Sequence, residues 1–251
     1  MKTALITGAS RGIGAATAAR LGRGGYHVIV NHLAHEAAAR DVVQEIVSAG
    51  GTAQAVQADV REPADAAKLV AACTRIDLLV CNANIQPTFA PLSETSWTDF
   101  SEKVTGELAA VFHVTRQTLE VMRGQRSGQI VYVSSVVADA TTPGTISHAT
   151  AKAALNTFAR HVAAEAGRHG IAVNTVAPGM VNTEAGSAGR TSERVAHYST
   201  HSVLGRVTEP EDVAALIAAI ADGGFRAVTG ACIPVDGGFR LLRPWGPDRP
   251  S

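Results

Sequence analysis

The chain has 251 residues, 46% hydrophobic and 18% charged, which is material for one sizeable α/β core. Its 22 basic and 22 acidic side chains cancel, so no net field recruits nucleic acid or an anionic membrane. Cys73, Cys81 and Cys232 are odd in number and far apart, which argues against a disulfide framework or a metal site and points to a reducing compartment. In chain order, short apolar runs predict strands at 2–7, 27–31, 52–57, 77–81, 128–134, 171–176 and 231–235. Ala-rich segments of helical period fill most intervals, and that alternation predicts a seven-stranded parallel α/β sheet flanked by helices. Gly22 to Gly25 and Gly50-Gly51 read as helix ends, and Pro63 as a first-turn residue.

One domain is expected over 1–251. The Ser/Gly/Thr-rich stretch 184–207 reads as a substrate lid, and 243–251, broken by prolines and a glycine, as an irregular surface tail. A strand-like run already begins by Thr3, and no run approaches membrane-spanning length. Cytoplasm is the expected location.

The first chemical motif is Thr7-Gly8-Ala9-Ser10-Arg11-Gly12-Ile13-Gly14, between the first strand and the first helix. Glycines there permit a tight turn, and backbone N–H groups at the helix start face a pyrophosphate, so the segment reads as a dinucleotide site. A plain structural turn is the competing reading, weakened by this position in the βα unit. The second strand ends in Val30-Asn31-His32-Leu33, without the carboxylate that NAD enzymes place on the ribose hydroxyl.

The wording TGASRGIG, with Ser135, Lys152 and the segment Pro178-Gly179-Met180-Val181-Asn182-Thr183, resembles the classical short-chain dehydrogenase/reductases, in particular 3-oxoacyl carrier-protein reductases, over residues 3 to about 239. The resemblance implies a Rossmann-like doubly wound fold. It assigns cofactor contacts to Gly8, Ser10, Arg11, Gly12, Ile13, Gly14, His32, Asp59, Val60, Asn82, Ala83, Lys152, Pro178, Gly179, Val181 and Thr183. His32 stands in the place of the family's ribose-binding acid and Arg11 where a basic residue faces a 2′-phosphate, which favours NADP(H). The competing readings are that Arg11 pairs with a surface acid, that His32 is a solvated turn residue and that Asp59 is a helix N-cap.

Departures cluster around the catalytic positions the resemblance implies. Ser135 and Lys152 match, but His148 stands where the family has its proton-transferring tyrosine, and Glu107 where it has an asparagine that supports a water. Cys81-Asn82-Ala83-Asn84 replaces Asn-Asn-Ala-Gly. His148 and Lys152 are four apart, which puts both on one helix face, where the ammonium disfavours imidazolium. A carboxylate at Glu107 that reached either would offset this, and a Glu107, Lys152, His148 relay is the resulting expectation. Tyr132 should point away from Ser135 by strand parity, and Tyr198 in the lid is a remote substitute acid.

Three functions follow as expectations. The first is an NADP(H)-dependent ketoreductase acting on a small molecule or an acyl thioester carried on an acyl carrier protein. The second is a nucleotide-binding subunit supporting an active paralogue in a hetero-oligomer. The third is a lyase or isomerase using His148 as base. Homodimers or homotetramers through helices near 98–123 and 148–168 are implied by the resemblance alone, and 85–96 with 184–207 should line the substrate pocket.

Overall fold

The computed structural model describes residues 1–183, 191–225 and 227–241. The expected tail 243–251 and the first part of the expected lid, 184–190, lie outside the described residues. Seven strands form one sheet: β1 (Thr3–Ile6), β2 (His27–His32), β3 (Thr52–Gln57), β4 (Leu78–Cys81), β5 (Gly128–Val133), β6 (Ile171–Pro178) and β7 (Cys232–Val235). Their order is β3-β2-β1-β4-β5-β6-β7, and every neighbouring pair is parallel. β1 and β4 are buried at all four positions, because helices cover both faces.

Alternate strand residues feed two separate cores. Leu5, Ile29, Leu79, Ile130 and Tyr132 pack beneath α3 (Pro63–Ala71), α4 (Trp97–Gln125) and α5 (Ile146–Ala166). Ile6, Val28, Val80 and Val131 pack beneath α1 (Gly12–Arg23), α2 (Glu36–Ser48) and α7 (Pro210–Ala219). The remaining helix, α6 (Ser192–His201), lies within the expected lid, which is therefore helical over that part.

Pro63 opens α3, as its fixed φ and missing N–H favour. α1 ends within the stretch Gly22 to Gly25, as expected, with Gly22 itself in its last turn. An added Cβ there would stand 2.5 Å from Ile46 Cγ2, so this glycine serves the close approach of α1 and α2, and the helix is capped at Gly24.

The chain winds outward from β1 to β3, then returns to lay β4 on the other side of β1. This reversal opens a crevice at the carboxyl ends of β1 and β4, the place where doubly wound sheets bind ligands.

Candidate active site

The glycine-rich loop fills the floor of that crevice. Gly8 has φ +61° and Gly12 φ +55°, left-handed values that cost glycine nothing. A Cβ on Gly8 would lie 2.9 Å from Ala83 Cα, and one on Gly14 would lie 2.4 Å from Gly8 O and 2.6 Å from Asn82 Nδ2. The loop and the end of β4 therefore meet backbone to backbone. Thr7 Oγ1 accepts from the N–H groups of Asn82 and Ala83, both at 3.0 Å, while Asn82 Nδ2 donates to Thr7 O and Gly8 O. The start of α1, with no acidic residue in its first turn, suits an anionic pyrophosphate. Ser10 is buried beneath this loop and Ile13 packs into the core under α1.

Asn31, missed in the sequence, joins three of these segments. Its Oδ1 accepts from Gly8 N at 3.2 Å, and its Nδ2 donates to Ala58 O at 3.0 Å, tying the loop to the end of β3. His32 is 3% exposed with Nδ1 unpartnered, so it is not the solvated turn residue of the competing reading. Arg11 is exposed and forms no ion pair among the described residues, so the surface-acid reading is likewise unsupported.

Asp59 is not the N-cap of α3, a position that Glu62 holds. Its carboxylate is gripped by the Arg61 guanidinium, with Nε at 2.9 Å and 3.1 Å, and that bond holds its pKa below the ordinary carboxylate value. Val60 beside it is buried.

Pro178 ends β6, and Gly179 packs so closely on Asp236 that a Cβ would come within 2.9 Å of Asp236 Cβ. Val181 forms an isolated parallel bridge with Thr208. A Cβ on Gly12 would stand 3.2 Å from Thr183 Cγ2, so the segment after β6 closes over the glycine-rich loop. The predicted cofactor segments thus converge: their glycines let backbone segments meet where a side chain would clash, and the start of α1, free of acidic residues, has the chemistry to receive the pyrophosphate of a nicotinamide dinucleotide.

Of the expected catalytic side chains, Lys152 and Glu107 meet directly and His148 lies in their field, while no contact joins Ser135 to them among the described residues. Ser135 follows β5, its Oγ accepting from Val137 N at 3.4 Å, and Ser134 Oγ donates to Lys152 O. Lys152 is 4% exposed; its Nζ donates to Glu107 Oε1 at 2.5 Å and to Val133 O at 2.8 Å. The other oxygen of Glu107 receives Lys103 Nζ at 2.5 Å and Ile85 N at 3.3 Å. Lys103 was not anticipated. It and Glu107 are both 1% exposed and take the first two places of the stripe that continues through Ala110, Val111 and Val114.

These charges decide the state of His148. Burial first, then the fields of Lys152 and Lys103, push its pKa down to about 3, against a weaker upward pull from Glu107. The expected rescue by Glu107 therefore fails, because that carboxylate is already shared between two ammonium groups. The two lysines hold Glu107 ionised, with its pKa down to about 2 in spite of burial. His148 is neutral at ordinary pH. Its Nδ1 is buried without a partner, and its ring meets the edge of Phe89 at 6.1 Å between centroids.

Tyr132 does not replace it. Tyr132 is fully buried, hydrogen-bonds Thr115 Oγ1 at 2.9 Å and is pushed well above its ordinary pKa by burial. Tyr198 on α6 stacks on Phe239 at 4.4 Å and lines a cavity of about 610 Å³ with Thr141, Thr142, Pro143, Glu193 and His197.

The family model described as enoyl-(acyl carrier protein) reductase matches residues 8–240. The chain belongs to the short-chain dehydrogenase/reductase family. It is 38% identical to an uncharacterised oxidoreductase of Methylorubrum extorquens, over 95% of this chain and 98% of that one. It is 36% identical to a 3-oxoacyl-[acyl-carrier-protein] reductase of Synechocystis, over 96% and 98%. A gluconate 5-dehydrogenase from Burkholderia cenocepacia, solved with NADP and tartrate, superposes with TM-score 0.89 at 27% identity, covering 96% of each chain.

As a short-chain oxidoreductase, the protein belongs to a nicotinamide-dependent family. The residues expected from the sequence to depart from that pattern are physically linked: Asn84 Oδ1 accepts from Lys103 Nζ at 2.9 Å, Glu107 joins Lys103 to Lys152, and both lysines bear on His148. Cys81 is a buried thiol whose pKa burial pushes up to about 12, against weaker lowering by Thr115 and by the field of Lys152. Among the described residues no helix is long and apolar enough to cross a membrane, and no cluster of His, Cys, Asp and Glu is built to hold a metal ion.

Proposed function

We propose that the protein is an NADP(H)-dependent ketoreductase in which a neutral His148 takes the place of the usual acid. What supports this reading is the packing of the predicted cofactor segments on one another, with Gly8 against Ala83 and Gly12 under Thr183, together with a buried Lys152 held by Glu107 and Val133. When bound, the cofactor supplies a hydride to the substrate carbonyl carbon.

Gly8 to Gly14 hold the pyrophosphate, Arg11 and His32 receive the 2′-phosphate, and Asp59, Val60, Asn82 and Ala83 flank the adenosine and ribose. Pro178, Gly179, Val181 and Thr183 orient the nicotinamide end. Two of the three N–H groups of Lys152 are used by Glu107 and Val133, which leaves the third for the ribose. Ser135 and His148 donate hydrogen bonds to the carbonyl oxygen as its charge develops, a preorganised electrostatic contribution. Neutral imidazole would have to become imidazolate to give up its N–H proton, so His148 donates a hydrogen bond only, and the alkoxide takes its proton from a solvent water, whose hydroxide returns to solvent.

The relatives' names favour a 3-oxoacyl thioester, delivered free or on a carrier protein, with 85–96 and α6 lining the pocket. The same resemblance favours a cytoplasmic homodimer or homotetramer, built as one domain. The test is oxidation of NADPH and NADH by the purified protein with a panel of 3-oxoacyl thioesters. Turnover preferring NADPH supports the proposal; nucleotide binding without turnover supports the second reading, a subunit that assists an active paralogue. That alternative draws on the depressed basicity of His148, which also weakens it as the base of a lyase or isomerase.

A further inference from the structure

We propose that Lys103 is a positioning residue of this site, one that clamps the Glu107 carboxylate and through it sets the place and the charge environment of Lys152. The inference rests on the reductase reading only for its effect on turnover; the buried cluster is a property of the fold.

The geometry is a ladder across two helices and a loop. Lys103 Nζ donates to Glu107 Oε2 at 2.5 Å, Ile85 O at 2.7 Å and Asn84 Oδ1 at 2.9 Å, which uses all three N–H groups of an ammonium. Glu107 then passes to Lys152 on α5 through its other oxygen. Removing Lys103 would leave one face of a buried carboxylate with only the long bond from Ile85 N, free to swing towards Lys152. It would also release the loop after β4 from α4, and that loop carries Phe89 to the ring of His148.

The charged groups facing Lys103 are Glu107 on its own helix and Lys152 on α5; the neutral His148 lies in the same field. Burial is the largest influence and brings the Lys103 pKa down to about 8, with Lys152 adding to the fall and Glu107 opposing it. Below that pH the cluster holds two cations and one anion. Above it Lys103 is neutral, the carboxylate answers to Lys152 alone, and the environment of the catalytic lysine changes. An alkaline limb in activity near pH 8 follows from the cluster, with no titration of His148 required.

The test combines a measurement that needs no turnover with one that does. Protein without cofactor, carrying 13C-labelled lysine, is titrated by NMR from pH 6.5 to 11. One lysine is expected to titrate about two units below the ordinary value near 10.4, and to vanish from the spectrum of K103R. Reductase rates are then followed against pH: K103R, which keeps its charge, is expected to retain activity and lose the limb near pH 8, while K103M loses roughly tenfold or more in kcat. A titration in which every lysine has its midpoint near 10, or a limb near pH 8 that persists in K103R, overturns the proposal. A wild type without turnover would defeat the reductase reading while the NMR titration still decides the cluster. A purely structural Lys103 would lower the melting temperature of K103M and leave the shape of the pH profile unmoved, which also overturns the proposal.

Discussion

Lys103 and Lys152, on different helices, share a single buried carboxylate: Glu107 places one oxygen 2.5 Å from each ammonium. The pair explains both why a carboxylate is tolerated at 1% exposure and why it does not protonate His148. Glu107 pulls the basicity of His148 upward, but burial and the fields of the two lysines outweigh that single negative charge.

Glu107→Gln removes the only anion of the cluster. Breaking a buried ion pair from one side costs about 3–5 kcal/mol, so a large fall in melting temperature is expected. The pH dependence has a definite sign. The Glu107 pKa is depressed to about 2 from 4.5, so its stabilisation is present above pH 4.5 and is lost as pH falls through that window towards 2. Urea unfolding of wild type and E107Q should therefore converge below about pH 3; parallel curves down to pH 2 would contradict the assignment.

Gly14→Ala should abolish nucleotide binding. The new Cβ meets Gly8 O and Asn82 Nδ2 well inside van der Waals contact, so the seam between the loop and β4 must open. Overpacking of this kind costs about 1–3 kcal/mol, leaving a folded protein whose loss is read by fluorescence titration with NADPH. Unchanged affinity would show that the seam is not the cofactor floor.

Arg11→Ala should weaken NADPH by about tenfold, roughly 1.4 kcal/mol, and leave NADH unaffected, because only the former carries a 2′-phosphate. The difference should shrink as salt is raised, since Arg11 is exposed. Equal losses for both nucleotides would remove Arg11 from the 2′ site.

Much of this was legible in the sequence. All seven strands follow from apolar runs whose period and spacing fit a sheet covered on both faces, and the glycine-rich loop stands where its position predicts. Glu107 was singled out as a carboxylate in the wrong place, and it does reach Lys152. Lys103 escaped because a lysine in a helix is read as solvated. The signal was its period, four residues before Glu107 on the stripe through Ala110, Val111 and Val114. Asn31 escaped because attention fell on its neighbour His32, and a side-chain amide that ties three backbone segments leaves no mark on composition or period. The competing reading of Asp59 as a cap fails because Arg61, two residues on, takes its carboxylate and Glu62 holds the N-cap of α3.

The central claim is that a neutral His148 works in a site that usually holds tyrosine, and it is tested by NADPH oxidation with one 3-oxoacyl thioester across pH 5 to 9, in wild type, His148→Phe and His148→Tyr. Turnover is expected in the wild type with no inflection between pH 5 and 7, because a group with its pKa near 3 does not titrate there, and a loss of roughly 100-fold in His148→Phe. An inactive wild type that gains turnover only as His148→Tyr would contradict it.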